Sequence, residues 1–473
     1  MKGADPSGAG VGYVPPYLPE FYDEALTETG SPRPPYAGLM GELAEADLGA
    51  IAERTREGLD RRGVSFGTAE GGPAPFHVDP VPRVLEAAEW HGLVLGMRQR
   101  ARAVNAFIAD AYGDRRIVEA GVLPARVIEG AEGFEPGLMG VEIHGRHAPV
   151  VGFDLVRGAD GRFRALEENA RTPSGLAYAA AARVAVDEAL GFDPAEARLA
   201  VAPAFEALRR VIRGAAPEGG GDPSAALLSD GPLSAAWFEH RTLAAQMRIP
   251  LVSPGQLAVR RGRLYAHGPG RPTELQVVYL RTGEDRFSDE TGTATWLGEA
   301  MLEPLRRGHL GIVNVPGAGI GDDKLTHGHV SEMVRFYLGQ EPQLPAVRDY
   351  DLEDADVLEE VLGQLGDLVV KPRGGYGGAG VIICRDGTRE ELEAVAGEIT
   401  TAPERFVAQE TVTLSSHPTV FGAALEPRHI DLRAFAIGDT IAPGALTRVA
   451  LQKGSLVVNS SRQGGAKDTW VLA

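Results

Sequence analysis

Cysteine is almost missing from this chain. Cys384 stands alone among 473 residues, which excludes an internal disulfide or a zinc site built from several cysteines and favours a reducing compartment. Long apolar runs are missing too. No stretch of 18 consecutive apolar residues occurs, and the opening segment MKGADPSGAGVGYVPPYLPEF holds no apolar core of signal-peptide length. The expectation is a cytoplasmic protein with no membrane partner. Positive charge is in deficit. A net charge of −18 speaks against nucleic acid as a main partner, because binding a phosphate backbone needs a basic surface. It leaves room for one small anion held in a local pocket. Two common catalytic signatures are also missing: no glycine is followed directly by lysine, which removes the P-loop pattern, and H-E-x-x-H does not occur.

Apolar residues make up 44% of the chain and charged residues 24%, near the globular average, so large packed cores are expected. The length points to two or three domains. Residues 1–36, rich in proline and glycine, read as a wrapping arm. Between Leu85 and Tyr112, the residues Leu93, Met97, Ala101, Val104 and Ile108 recur at helical spacing, which predicts an amphipathic helix. A second helix is predicted over 176–190. GAAPEGGGDPSA (214–225) reads as a linker. After it, AALLSDG and WFEHRTLAAQMRIPLVS predict strand, helix and strand, the beginning of a βαβ unit. QEPQLPAVRDYDLED (340–354) reads as a further break.

Three stretches carry chemistry. In LVVKPRGGYGGAGV (368–381) an apolar run ends at Lys371, and glycine fills five of the seven positions from Gly374 to Gly380. Backbone without Cβ lets N–H groups close on a phosphate. The letters Gly375-x-Gly377-x-x-Gly380 fit a dinucleotide fingerprint, but that motif should open a helix, whereas VIICRDG reads as a strand. The prediction is strand, lysine, glycine-rich turn and strand: a hairpin whose tip folds over phosphate.

The second stretch, VVGFDLVRGADGRFRALEENARTPSG (150–175), predicts a hairpin with Asp154 on one strand and Glu167 and Asn169 on the other. Residues two apart in a strand share a face. Two carboxylates and an amide oxygen together suit Mg²⁺, a hard cation that shares oxygen ligands with substrate phosphates. Glu168 points the opposite way and is expected to be exposed. In the third stretch, HIDLRAFAIGDTIAPGALTRVALQKGSLVVNSSRQGGAKDTWVLA (429–473), Asp431 and Arg433 share a strand face and Arg448 follows in the next strand. The loop NSSRQGGAKD then offers Asn459, Ser460 and Ser461 as donors. Arginine presents planar donors to carboxylate or phosphate oxygens. The apolar ending WVLA predicts a packed tail.

Together these stretches resemble the ATP-grasp superfamily of carboxylate–amine ligases, and glutathione-synthetase-like members in particular. VVKPRGGYGG resembles its lysine-and-glycine ATP lid, FVAQE (406–410) its hinge strand, and the Asp154 to Asn169 hairpin its magnesium motif. TRVALQKGSLVVNSSRQGG resembles the segment where an arginine and an asparagine meet the transferred phosphate. The order is reversed, however, because the magnesium motif precedes the lid. That order is similar to the circularly permuted ATP-grasp family, whose signatures FHVDPVPRVL (76–85), DDKLTHGHVSEMVRFYLGQEPQLP (322–345) and SLVVNSSRQGGAKDTWVL (455–472) resemble. The likeness runs from about Pro16 to the end of the chain.

The resemblance implies an α/β, circularly permuted ATP-grasp fold with an intervening βαβ-type domain and a helical N-terminal elaboration. Residues 1–213 would hold the arm, the helical region and the half of the module with the magnesium hairpin. Residues 222–345 would form a small α/β domain, and residues 346–473 the lid, hinge and phosphate-contact segment. ATP and Mg²⁺ are the implied cofactors. Lys324, Lys371, Gly374, Gly375, Tyr376, Gly377, Gly378, Gln409 and Glu410 would bind nucleotide, and Asp154, Glu167 and Asn169 would bind metal. Asp431, Arg433, Arg448, Asn459, Ser460 and Ser461 would meet substrate, with Arg448 and Lys371 catalytic. A further lysine is usual upstream of the lid strand, and here Lys324 and Arg348 compete for that place. The implied reaction is amide or peptide bond formation between a small-molecule or peptide carboxylate and an amine. A small-molecule kinase or a nucleotide-binding protein without turnover are the alternatives.

Overall fold

The computed structural model describes residues 16–67, 72–192, 197–217, 222–268, 270–283, 286–288, 293–375, 380–456, 458 and 464–473. Both ends of the chain build its largest sheet. The strands run in the order Val78–Leu85, Gly465–Val471, Leu446–Val449, Ala424–Ile437, Val150–Arg157 and Phe163–Asn169, while Ser416–Phe421 and Thr440–Ile441 pair with the long strand Ala424–Ile437. Every contact is antiparallel except that between Gly465–Val471 and Val78–Leu85. The strand Val150–Arg157, one in from the edge strand Phe163–Asn169, is buried along its whole length, which matches its nearly unbroken apolar run and places it between two packed layers. The packed C-terminal tail is present as the strand ending at Val471, with Trp470 and Val471 buried.

The helix Ala87–Ala111 covers this sheet, and Leu93, Met97, Ala101, Val104 and Ile108 all turn inward. Burying side chains of the size of Leu, Met and Ile is worth about 1.5–3 kcal/mol each relative to exposure. The predicted helix over 176–190 forms as Leu176–Leu190. The arm is more deeply buried than its composition suggests. Ala25 and Leu26 are in the core, and Glu24 pairs with Arg83 and Arg157 inside the protein.

A second sheet is fully parallel, in the order Gly311–Val313, Val277–Arg281, Ala225–Ser229, Leu251–Val252. It contains the predicted strand–helix–strand, with Trp237–Met247 as the crossover helix. A third sheet, Asp349–Asp351, Phe406–Glu410, Leu368–Pro372 and Ile382–Ile383, is antiparallel and carries Lys371. Its core is shared with the helices Ala355–Gly363 and Arg389–Thr401.

Two expectations need correction here. The strand after the glycines is only Ile382–Ile383, because a 3-10 turn at Cys384–Asp386 ends it. The segment 340–354 is not a plain break. It contributes the strand Asp349–Asp351 to the lysine sheet, paired in register with Val407–Gln409. Among the described residues, no helix is long and apolar enough to cross a membrane.

Candidate active site

Strand register brings the charged residues of two distant stretches, 150–175 and 429–473, side by side across four strands. Arg448 pairs with Asp431, Arg433 with Asp154, and Asp154 with Glu167. Asn169 follows on the same face as Glu167, opposite Gly152. Arg448 Nε donates to Asp431 Oδ1 at 2.9 Å, and its Nη2 lies 2.9 Å from Asp154 Oδ2. Arg433 Nη2 donates to Asp154 Oδ2 at 3.1 Å, and Asn169 Nδ2 to Glu167 Oε1 at 3.3 Å. Gly152 is needed for this closeness, since a Cβ there would lie 2.8 Å from Pro173 Cβ and 3.1 Å from Arg433 Nη1.

The two carboxylates respond to one another. Burial pushes Asp154 from 3.8 up to about 7, against the pull of Arg433 and Arg448, and the charge of Glu167 adds to the rise. Burial also pushes Glu167 up, but a hydrogen bond from Asp154 and the fields of Lys371, Arg433 and Lys324 bring it well below the usual carboxylate range. Without a cation, the pair therefore takes up a proton on Asp154 rather than on Glu167 as pH falls through about 7. Asp154 binds that proton more tightly folded than unfolded. Its contribution to stability is therefore full below about pH 4 and is lost as pH rises through about 7. In chelator, the Asp154→Asn variant should show a weaker fall in melting temperature than the wild type between about pH 5 and about pH 8. Parallel curves would contradict the shared proton.

Lys371 is buried next to the end of the strand Leu368–Pro372, with Nζ 2.5 Å from Gln409 Oε1. Lys324 opens the helix Lys324–Gly328, and its Nζ donates to Gly374 O at 3.2 Å and Gly375 O at 3.3 Å. Burial and the neighbouring Lys371 charge lower the pKa of Lys324, while Glu167 pulls it the other way. Both ammonium groups thus act on the carboxylate row. Arg348, the competing residue, pairs on the surface with Glu360 at 3.2 Å and stacks on Tyr350. The Gly375 N–H donates to Glu132 Oε2 at 3.0 Å. Arg373 Nε reaches both oxygens of Asp323, at 3.0 and 2.9 Å, anchoring the base of the glycine hairpin. Gln409 faces inward and Glu410 is exposed. Tyr376, Gly377 and Gly378, and likewise Asn459, Ser460 and Ser461, lie outside the described residues.

Glu168 overturns its expectation. It does face away from Glu167, as strand alternation requires, but that side is not solvent. Glu168 is 2% exposed, held by Arg100 Nε and His327 Nδ1 at 2.5 Å each. The apolar periodicity marks a buried side of the Ala87–Ala111 helix but not Arg100, which is buried as well. Sequence reasoning also missed Glu239. This buried residue accepts from Ser174 Oγ and the Gly175 and Ala177 N–H groups, while Arg281 donates to Pro173 O at 2.7 Å. That pair fixes the Pro-Ser-Gly loop beside Arg433. No local motif marks such partners, because Glu239 comes from the crossover helix Trp237–Met247 and Arg281 from the parallel sheet.

Among the described residues, no three His, Cys, Asp or Glu side chains are grouped to hold a metal by themselves. Two carboxylates and an amide oxygen fit a hard cation whose remaining ligands come from phosphates and water, and two like charges sharing one buried proton fit a place a cation would occupy.

Known proteins resemble this chain over most of its length. The family model for circularly permuted ATP-grasp type 2 matches residues 82–450. A Frankia alni protein, provisionally named a glutamate–cysteine ligase, is 39% identical over 98% of this chain and 57% of its own length. A similarly named protein of Frankia casuarinae is 40% identical over 96% of this chain and 54% of its own length. The chain therefore spans little more than half of these relatives. An uncharacterised Synechocystis protein is 36% identical, covering 96% of this chain and 97% of its own. Among solved structures, a glutathione synthetase-like effector of Globodera pallida in its apo form has the same fold. Its TM-score is 0.53 at 12% identity, covering 90% of this chain and 98% of the other. A sheet that joins strands from distant parts of the chain, a carboxylate-bearing hairpin upstream of a lysine-bearing sheet and a match over most of the sequence lead to one conclusion: the chain belongs to the circularly permuted ATP-grasp type 2 family.

Proposed function

We propose that this protein is an ATP- and Mg²⁺-dependent ligase that joins a carboxylate to an amine through an acylphosphate, releasing ADP and phosphate. The observation that carries the reading is the cross-strand row Arg448–Asp431, Arg433–Asp154–Glu167, with two lysine ammonium groups acting on its carboxylates. The names of the Frankia relatives and the family support it.

In this reading Asp154, Glu167 and Asn169 would hold the metal, with the Asn169 amide turned to present its oxygen. Bound Mg²⁺ would supply positive charge that offsets the phosphate charge. Lys371, Lys324 and the N–H groups of Gly374 and Gly375 hold the phosphates, and Glu410 lies at the hinge for the ribose. A substrate carboxylate oxygen attacks the γ-phosphorus, and the bond to the β-phosphate oxygen breaks. Arg448 and Arg433 offset the charge that develops during transfer. The amine then attacks the acyl carbon, phosphate leaves with the bonding pair, and the amine proton passes to solvent or phosphate. Positioning and electrostatics of this kind supply most of the catalysis in phosphoryl transfer.

The test is an ADP-release screen over amino acids, short peptides and polyamines, with glutamate and cysteine among them, and mass spectrometry of the products. An amide product supports the ligase. A phosphorylated product selects a kinase, and ATP binding without turnover selects a nucleotide-binding protein. Lys371→Ala should weaken ATP binding while the protein stays folded. One desolvated charge-assisted contact is worth roughly 1.5–3 kcal/mol, or about ten- to a hundredfold in affinity. Calorimetry showing unchanged affinity in a folded variant would remove Lys371 from the nucleotide site.

A further inference from the structure

A chain of buried polar groups runs behind the metal face and ends at Lys371. Arg100 Nε donates to Glu168 Oε1 at 2.5 Å, and Glu168 Oε2 is 2.5 Å from His327 Nδ1. His327 Nε2 lies 3.6 Å from Asp349 Oδ2. Asp349 Oδ1 accepts from Gln409 Nε2 at 2.8 Å, and Gln409 Oε1 accepts from Lys371 Nζ at 2.5 Å. Gln409 Nε2 also reaches Leu166 O at 3.3 Å, on the strand that carries Glu167. The chain therefore crosses from the eight-stranded sheet through the helix Lys324–Gly328 to the lysine sheet.

Each hydrogen bond in the chain orients its partner, while His327 Nε2 and Asp349 Oδ2, 3.6 Å apart and not hydrogen-bonded, are coupled electrostatically. A lysine ammonium sits on a flexible four-carbon stem and takes a defined place only if something holds it. Gln409 can hold it only with its amide oxygen forward, because a flipped amide would aim N–H groups at the ammonium. Asp349 and the Leu166 carbonyl, both pure acceptors, settle the orientation by taking Nε2. Asp349 in turn faces His327, whose ring is oriented by Glu168. Removing a link leaves buried groups unmatched in a low-dielectric interior, so the effect passes along the chain.

We propose that Glu168, His327, Asp349 and Gln409 form a positioning relay that sets the place of Lys371 Nζ over the carboxylate row, so that nucleotide affinity depends on residues that do not touch nucleotide. The proposal rests on the nucleotide-binding reading above. It also reassigns the Gln409 side chain from contacting nucleotide to holding Lys371.

The test is calorimetric titration of the full chain with Mg·ADP, which binds without turnover. Wild type, Gln409→Leu, His327→Asn, Lys371→Met and the two double variants with Lys371→Met are compared. His327→Asn keeps a donor for Glu168 and removes the arm facing Asp349. Gln409→Leu should weaken binding about tenfold when Lys371 is present and less than about twofold when it is methionine. His327→Asn should follow the same pattern with a smaller loss. A merely structural role would weaken binding equally in both backgrounds, and that result overturns the relay. So does unchanged affinity in Gln409→Leu and His327→Asn while Lys371→Met loses it. If Gln409→Leu does not fold, the His327→Asn pair decides by the same comparison. Absence of Mg·ADP binding in the folded wild type would instead overturn the nucleotide reading, and the relay with it.

Discussion

Replacing Glu167 with glutamine should abolish Mg²⁺-dependent ADP formation while leaving the fold intact. The substitution removes one anionic ligand with almost no change in shape. Mg²⁺ dehydrates reluctantly and relies on one or two carboxylates plus phosphates, and only Asp154 would remain. Losing even an outer partner of a metal ligand costs about 10–100-fold, so losing a ligand should cost at least about a hundredfold in turnover. Some stability should be lost as well, because Lys371, Arg433 and Lys324 favour the Glu167 carboxylate in the folded protein, but relief of the like-charge contact with buried Asp154 keeps that loss small. The measurement pairs steady-state ADP release over a Mg²⁺ series with a thermal melt. Undiminished turnover would place the metal elsewhere and remove this hairpin from the site.

The neighbouring substitution Glu168→Gln should have the opposite signature, with a large loss of stability. Strand alternation alone would make it a harmless surface change. In the structure its carboxylate is the anion between Arg100 and His327, and all three side chains are almost fully buried. Burial pushes the Glu168 carboxyl up, but Arg100 and His327 bring it down to about 2. Its stabilisation is therefore present above about pH 4.5 and lost as pH falls towards 2. Removing the charge leaves a buried guanidinium without its counter-ion, which typically costs about 3–5 kcal/mol. Denaturant unfolding of wild type and variant at neutral pH measures this directly. A difference within about 0.5 kcal/mol, the range of ordinary surface substitutions, would show that the ion pair contributes nothing. The two adjacent glutamates thus separate by assay: one fails in turnover, the other in stability.

Local periodicity determined much of this protein before any coordinates. The 3.6-residue recurrence of Leu93, Met97, Ala101, Val104 and Ile108 dictates a helix and its buried side, because only a helix brings those positions to one face. The period of two in Phe163–Asn169 places Glu167 with Asn169 and turns Glu168 away. Motif order within one chain was enough to indicate permuted connectivity. Three matters were left to the tertiary structure. Alternation says which way Glu168 points but not what lies there, and the helix Ala87–Ala111 with the segment around His327 turns that side into interior. Lys324 and Arg348 were equivalent as upstream cations until folding set Lys324 against Gly374 and Gly375 and left Arg348 on the surface. Asp349 lies in a short polar stretch that reads as a loop, yet pairing with Phe406–Glu410 makes it a strand and carries its carboxylate to Gln409. Sequence patterns report the direction of a side chain relative to its own backbone. What that side chain meets is decided by elements tens to hundreds of residues away, and a buried charge is stable only where such an element supplies its partner.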